Sequence, residues 1–268
     1  MGMRKAELNE VQNLIYGILI EFDRICGKYG IQYSLEGGSL LGAVKYGDYV
    51  PWDDDIDVIM LRSEYDRFLQ IAPEELGDEY FLQSYHNVPD FPLNYAKLCY
   101  TKSKICDYSY SHLQGMSHGI FMDIFPIDNV IPNRMKNQIH AIGLLTGARR
   151  AKLHIPGSVS RWKKLCYGVM ALFPMRTLCY WMDSVCTVHN QSDTGFCYEV
   201  CNSNKNFKPL PSTIYKNCIR LRFRDREFLA VSCYDQFLKS RFGENYLHEL
   251  PPEDKRKPSH CQNILIEG

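Results

Sequence analysis

Four aspartates fall within the five residues from Asp53 to Asp57, in the run PWDDDIDVIM (residues 51–60). The apolar residues Ile56, Val58, Ile59 and Met60 predict a strand, whose side chains alternate between two faces. Alternation puts Asp53, Asp55 and Asp57 on one face, neighbours about 6–7 Å apart, and points Asp54 the other way. Carboxylates this close raise one another's pKa unless a cation lies between them. The pattern therefore predicts a divalent metal site rather than a solvated acidic turn. An all-oxygen donor set favours Mg²⁺, with Mn²⁺ as the alternative, over zinc. A calcium loop of the EF-hand type is excluded, because its glycine and distal glutamate are missing.

Upstream, Gly37, Gly38 and Ser39 form a tight turn opening a helix, where free amides cradle a phosphate and glycine lets it approach the main chain. Lys45, later in that helix, joins the phosphate-binding candidates. A third carboxylate comes from HGIFMDIFPID (residues 118–128). There Ile120, Met122 and Ile124 share one strand face and Phe121, Asp123 and Phe125 the other. A carboxylate among bulky apolar residues requires a cation or a strong donor. On a strand beside Asp55 and Asp57, Asp123 completes a three-carboxylate site; the competing assignment, capping a turn, fits Asp128 better. Lys97 reaches a phosphate if its strand lies beside these two, and is a solvated sheet-edge lysine otherwise. Arg220, Arg222 and Arg224 share a face of a strand or hairpin over 214–223, a clamp for a diphosphate or sugar phosphate. For His260, ligand contact and plain surface position both stand.

These residues need elements to hold them. Apolar spacing predicts an amphipathic helix over 5–29 stopped by Gly30, a strand over 31–35, a helix over 39–45 and the aspartate strand. Ser63 is placed to cap a helix over 64–71. Strands are expected over 80–85 and 95–100, a turn region over 193–212, and a helix over 232–242 ended by Gly243.

The 268 residues are 45% hydrophobic and 23% charged, an ordinary folded composition. Net charge is zero, which offers no overall attraction for nucleic acid. Its distribution is uneven: residues 1–128 hold 20 acidic and 10 basic residues, whereas residues 131–182 hold nine Lys or Arg and no Asp or Glu. That segment reads as two or three helices broken near Pro156-Gly157 and around Pro174. Two compatible readings stand for it: a basic helical unit packed on the acidic part, or a peripheral contact with an anionic membrane surface. No signal peptide is visible and no apolar run approaches 18 residues, so a cytoplasmic location is expected, peripheral on the membrane face. The eleven cysteines are odd in number and scattered, which predicts free thiols. Cys197-x3-Cys201, with Cys179, Cys186, His189 and Cys218, matches no tight zinc pattern.

Three blocks carry a family resemblance: LEGGSLLGAVKYGDYVPWDDDIDV (35–58), GIFMDIFPID (119–128), and a C-terminal block of FRDREF (223–228), YDQFLKSRFGENY (234–246) and ELPPEDKR (249–256). The chain resembles the LicD family of phosphotransferases, which includes the fukutin-type enzymes. The family's Val-Pro pair after Phe228 is replaced by Ala230-Val231-Ser232. The resemblance implies an α+β fold: a nucleotidyltransferase-like mixed sheet core with added helical segments. It implies one domain over 1–268 with a basic helical insertion at about 131–190. It also implies transfer of phosphocholine, or a related phospho-alcohol, from CDP-choline or another CDP-alcohol to a sugar hydroxyl of a cell-surface glycan, such as lipopolysaccharide or teichoic acid, or its lipid-linked precursor. Asp53, Asp55, Asp57 and Asp123 would be metal ligands, Asp55, Asp57 and Asp123 the catalytic carboxylates, and Gly37, Gly38 and Ser39 the donor-phosphate turn. Rival readings are a nucleotidyltransferase releasing pyrophosphate, ribitol or glycerol phosphate transfer, a sugar transferase, and a non-enzymatic scaffold. A quaternary ammonium requires aromatic faces, for which Tyr46, Tyr49, Trp52, Tyr85, Phe91 and Tyr95 are candidates.

Overall fold

A computed structural model of the chain describes residues 3–105, 110, 113, 115–155, 160–202, 208–248, 253 and 264–267. Pro156-Gly157, His260 and most of the block 249–256 lie outside them. In chain order the elements are β1 (Met3–Lys5), α1 (Leu8–Tyr29), β2 (Ser34–Leu35), α2 (Gly37–Tyr46), β3 (Asp57–Leu61), α3 (Arg62–Glu75), β4 (Tyr80–Gln83), β5 (Ala96–Tyr100), β6 (Ser103–Ile105) and β7 (Phe121–Asn129). Next come α4 (Met135–Lys152), α5 (Arg161–Met170), α6 (Met175–Thr187), β8 (Phe196–Tyr198), β9 (Leu210–Pro211), α7 (Thr213–Lys216), β10 (Cys218–Phe223), β11 (Arg226–Val231), α8 (Tyr234–Phe242) and β12 (Ile264–Glu267).

The core is a mixed sheet in the order β2-β3-β7-β5-β4, extended from β7 through β8 to β9. Only β3 and β7 run parallel; the other neighbours are antiparallel. With the added helices this is a mixed α+β fold of nucleotidyltransferase-like architecture, as expected from the sequence. A second sheet, β1-β12-β6, and the hairpin β10-β11 complete the strands. Helix α1 buries Val11, Ile15, Ile18, Leu19, Phe22, Ile25 and Cys26 at helical spacing and ends at Gly30, whose φ of 63° a side chain would strain.

Register decides what meets across the sheet. Asp57 pairs with Asp123, Asp123 with Lys97, and Lys97 with Gln83, a polar row crossing β3, β7, β5 and β4. Directly opposed residues point to the same face.

Several expectations are corrected. The strand at 31–35 is only Ser34–Leu35. β3 begins at Asp57, so Asp53, Asp54 and Asp55 lie in the irregular approach to the strand and strand alternation does not govern them. Ser63 is no cap: α3 starts at Arg62 with Leu61 before it, and continues to Glu75 with Pro73 in its last turn. The region 193–212 contains β8 and β9, added at the β7 edge. Arg224 is not on the β10 face; it takes φ 59° in the turn to β11, where its guanidinium donates to Asp48 Oδ1 and Asn13 Oδ1 at 2.8 Å each.

Asp128 does not cap a turn either. It stays in β7, fully buried, because the strand runs on through Pro126. The Asp123 amide donates to the carbonyl of Ile56, the residue just before β3, so by alternation the Pro126 position faces away from β3. β5 pairs only up to Ile124 and β8 only from Asp128, so proline's missing N–H forfeits no ladder bond. Arg62 Nε and Nη2 hold Asp128 bidentately at 2.8 Å each, Asn190 Nδ2 adds a bond at 2.6 Å, and Arg62 Nη1 reaches Asp183 of α6 at 3.0 Å. This cluster pins α3 and α6 to the sheet. Arg62→Met should destabilise the fold by about 3–5 kcal/mol by stranding a buried carboxylate. A urea midpoint within error of wild type would contradict that role.

Candidate active site

The carboxylates converge at the N-terminal ends of the parallel pair β3 and β7. Asp53, Asp54 and Asp55 each bring an oxygen within 4.8 Å of the others, and among the described residues they form the one such group of three metal-type ligands. Asp54, expected to point away, is buried and joins the cluster. Asp57 and Asp123 sit opposite each other on the strands that follow.

Local bonds fix this arrangement. The Asp57 amide donates to Ser39 Oγ at 2.9 Å, and the Glu36 amide donates to the Asp57 carbonyl at 2.9 Å. The start of α2 is thereby tied to the start of β3. Gln12 Nε2, from α1, donates to the Asp53 carbonyl at 2.8 Å. Gly37 has a φ of 50°, and a Cβ on Gly38 would fall on the Asp53 carboxylate. The first amides of α2 have no intrahelical partners and remain anion donors in type.

The electrostatics are those of crowded negative charge. Burial, then the charge of Asp55 and a hydrogen bond with it, push the Asp53 carboxyl up to about 8. Burial also lifts Asp57 well above the ordinary carboxylate range, reinforced by Asp55, Asp123, Glu36 and Glu199. Glu36 is raised by burial despite Arg241 beside it. Such a desolvated all-oxygen group fits a divalent cation, whose charge would relieve the repulsion that lifts these values.

Lys97 lies 2.5 Å from Asp123 Oδ1, with its ammonium 3.2 Å from the centre of the Phe121 ring. It is buried beside the carboxylates rather than solvated at a sheet edge. Lys45 sits in the last turn of α2, eight residues from Gly37, or about 12 Å along the helix. Arg220 bonds Asp23 and the Glu227 carbonyl, and Arg222 donates to the Arg224 carbonyl; neither bonds the carboxylate cluster. A larger cavity of about 460 Å³ opens at the other end of β3 and β7, lined by Arg62, Asn129, Asn190 and Lys216. None of the converging aspartates lines it, so the chemistry, not the volume, marks the site.

Three residues outside the sequence reading belong here. Arg241 of α8 bridges Glu36 at 2.9 Å and Glu199 at 3.2 Å, in a buried network behind Asp55 and Asp57. Arg241 falls within the YDQFLKSRFGENY block, a signal without an assigned role; Glu199, alone between β8 and the next turn, gives none. The cysteine group 179, 186, 197, 201 is buried as free thiols.

The sheet, the glycine-led helix and the strand-borne carboxylates define a nucleotidyltransferase-type domain. Residues 30–149 match the family model described as "LicD/FKTN/FKRP, nucleotidyltransferase domain", which supports a LicD-type phosphotransferase-like domain over that stretch. It is similar to the lipopolysaccharide cholinephosphotransferase LicD of Haemophilus influenzae, at 29% identity across 98% of this chain and 100% of that protein. A 48-residue stretch, 18% of this chain and 10% of the relative, is 44% identical to the human ribitol 5-phosphate transferase FKRP.

Two outcomes follow. Without divalent cations, the raised Asp53 value makes the folded state bind a proton that the unfolded chain has released. That contribution is complete below about pH 4 and is lost as pH rises through about 8. Relative to Asp53→Asn, wild type should therefore lose stability between these limits in chelator, and Mg²⁺ should restore more at pH 8 than at pH 5; parallel melting curves would refute this. Gly38→Ala should weaken Mg²⁺ binding about tenfold or more, about 1.4 kcal/mol, by displacing the Asp53 carboxylate, as read by titration calorimetry.

Proposed function

We infer that the chain is a metal-dependent phosphotransferase, moving phosphocholine or a related phospho-alcohol from a CDP-linked donor to a sugar hydroxyl of a cell-surface glycan or its lipid-linked precursor. The observation that carries this reading is the register Asp57 to Asp123 to Lys97, which sets two carboxylates and a buried ammonium side by side next to the Asp53–Asp55 cluster. The full-length similarity to a cholinephosphotransferase supports the donor class.

Asp53, Asp55 and Asp57 would hold Mg²⁺ or Mn²⁺, with Asp123 as the fourth carboxylate; when bound, such an ion neutralises charge on the diphosphate oxygens. The amides of Gly37, Gly38 and Ser39 receive the donor phosphates at the α2 N-terminus. Asp123 faces the acceptor hydroxyl and takes its proton as the oxygen attacks the phosphorus bearing the alcohol. The new oxygen–phosphorus bond forms as the bond to the cytidine phosphate breaks, and CMP leaves. Lys97 balances the charge of Asp123 and of the transferred phosphate. Behind them, Arg241 keeps Glu36 and Glu199 paired, so the wall of the site does not swing toward the substrate.

Of the six aromatic candidates for a quaternary ammonium, Tyr49, Tyr85 and Phe91 are buried in the core. Tyr95 packs on Phe125 at 4.5 Å between ring centres and lies 5.8 Å from Lys97 Nζ, which makes it the choline-facing candidate. Ribitol phosphate transfer on the same site is the second reading, favoured by the local match to a ribitol 5-phosphate transferase. Among the described residues no helix is long and apolar enough to cross a membrane; access to a lipid-linked acceptor would then be peripheral, from the side of the basic helices.

A donor panel of CDP-choline, CDP-ethanolamine, CDP-ribitol and CDP-glycerol against CTP, UTP and a nucleotide sugar, followed by phosphorus NMR, tests the reading. Metal-dependent conversion of one CDP-alcohol to CMP is expected, reduced on the order of a thousandfold in Asp57→Asn. Pyrophosphate release from an NTP, with silence toward every CDP-alcohol, would move the chain to the nucleotidyltransferases.

A further inference from the structure

Among the described residues, helix α5 differs from the other long helices in burying none of its side chains. Its side facing α4 is occupied by Tyr167, whose ring covers Gly147 closely enough to leave no room there for a Cβ. Its other side exposes Trp162 at 73%, Leu165 at 57% and Val169 at 56%, and the turn beyond adds Leu172 at 81% and Phe173 at 42%. Positions 162, 165 and 169 repeat at three and four residues, so on a helix of 3.6 residues per turn they form one narrow stripe, which the exposed Leu172 follows in the turn beyond the helix. Arg161, Lys163 and Lys164 are exposed at the same end as Trp162.

An apolar stripe of this kind is costly to leave in water, since a soluble surface rarely carries large apolar side chains in a continuous row. Its surroundings indicate what covers it. The segment 131–182 contains nine basic and no acidic residues, so the field around α5 attracts anions. A tryptophan flanked by cationic side chains, above a row of aliphatic ones, is the composition of a helix lying in the plane of a bilayer. The indole and Arg161 beside the stripe then occupy the headgroup level, with the guanidinium reaching to phosphate, while Lys163 and Lys164, further round the helix, add to the positive field. A nucleic acid would gain nothing from Leu165, Val169 and Leu172, and an acidic protein would not require the indole at the charged end.

We propose that α5 is a membrane-docking helix: the stripe Trp162, Leu165 and Val169, with Leu172 in the turn that follows, inserts into the headgroup boundary of an anionic bilayer, held there by Arg161 and drawn by the positive field to which Lys163 and Lys164 contribute. The proposal stands on exposure and charge alone and does not depend on the phosphotransferase chemistry. It goes beyond a general peripheral association by naming the element, its depth and its lipid requirement.

The test is flotation of the full chain with vesicles of phosphatidylcholine alone and of phosphatidylcholine with phosphatidylglycerol, with tryptophan emission recorded in parallel. Binding to the anionic vesicles is expected, weakened by high salt, with a blue shift that disappears in Trp162→Phe. The double variant Leu165→Glu, Val169→Glu changes only exposed positions, so its circular dichroism and melting should match wild type while vesicle binding falls about tenfold or more. Arg161→Glu with Lys164→Glu should remove the preference for anionic lipid. No binding to either vesicle at low salt would overturn the proposal. So would binding that survives the double glutamate variant, or concentration-dependent dimerisation that the same variant abolishes, which would give the stripe to a second copy of the chain. No arm reads turnover, so a failure here leaves the donor panel to be judged separately.

Discussion

Unbalanced negative charge at one end of the β3 and β7 pair is the constraint around which the molecule is arranged. Parallel pairing sets Asp57 against Asp123, and the approach to β3 adds Asp53, Asp54 and Asp55 in a space that water only partly reaches. Left to itself such a group would repel, protonate or open. The neighbouring elements each restrain it: α2 through Ser39 and Gly38, α1 through Gln12, β5 through Lys97, and α8 through the Arg241 network. The same restraint holds the carboxylates together although burial and mutual repulsion raise Asp53 and Asp57, a combination suited to binding a cation.

Charge at the other end of the strands is handled in the opposite way. There Arg62 meets Asp128 and Asp183 in a closed set, each carboxylate matched by a guanidinium, an amide or a tyrosine hydroxyl. Such pairing gives structure rather than chemistry, because each buried carboxylate there already faces the Arg62 guanidinium. One pair of strands therefore carries a closed charge cluster at one end and an open one at the other.

Much of this was legible in the sequence where a local pattern and its tertiary use coincide. The glycine-led α2, the stop at Gly30, the strand carrying Asp123 and the helical character of 131–182 all follow from periodicity and turn chemistry, whereas the place of that strand beside the aspartates is set by the pairing of β3 with β7. Legibility failed where long-range contacts decide. Strand alternation does not extend to Asp53 and Asp54, which precede the strand. Pro126 signals a turn before Asp128, and the lack of a partner on that edge, which lets the strand continue, is a property of the sheet. Spacing groups Arg224 with Arg220 and Arg222, although its bonds to Asp48 and Asn13 hold it in a left-handed turn. Glu199 and Arg241 are 42 residues apart and meet only in the folded chain.

The pairing of β7 with β8 has a consequence for how this architecture changes over time. Asn129, where the chain leaves the sheet, lies directly opposite Cys197, where it returns. The 67 intervening residues thus depart from and re-enter the scaffold at a single doorway. Changes confined to the outer part of this segment leave the pairing of β3 with β7 in place as long as Asp183 and Asn190, which complete the Arg62–Asp128 cluster, are kept. Descendants of one ancestor can in this way acquire different outer faces, suited to different cellular surfaces, while inheriting an unaltered reaction centre.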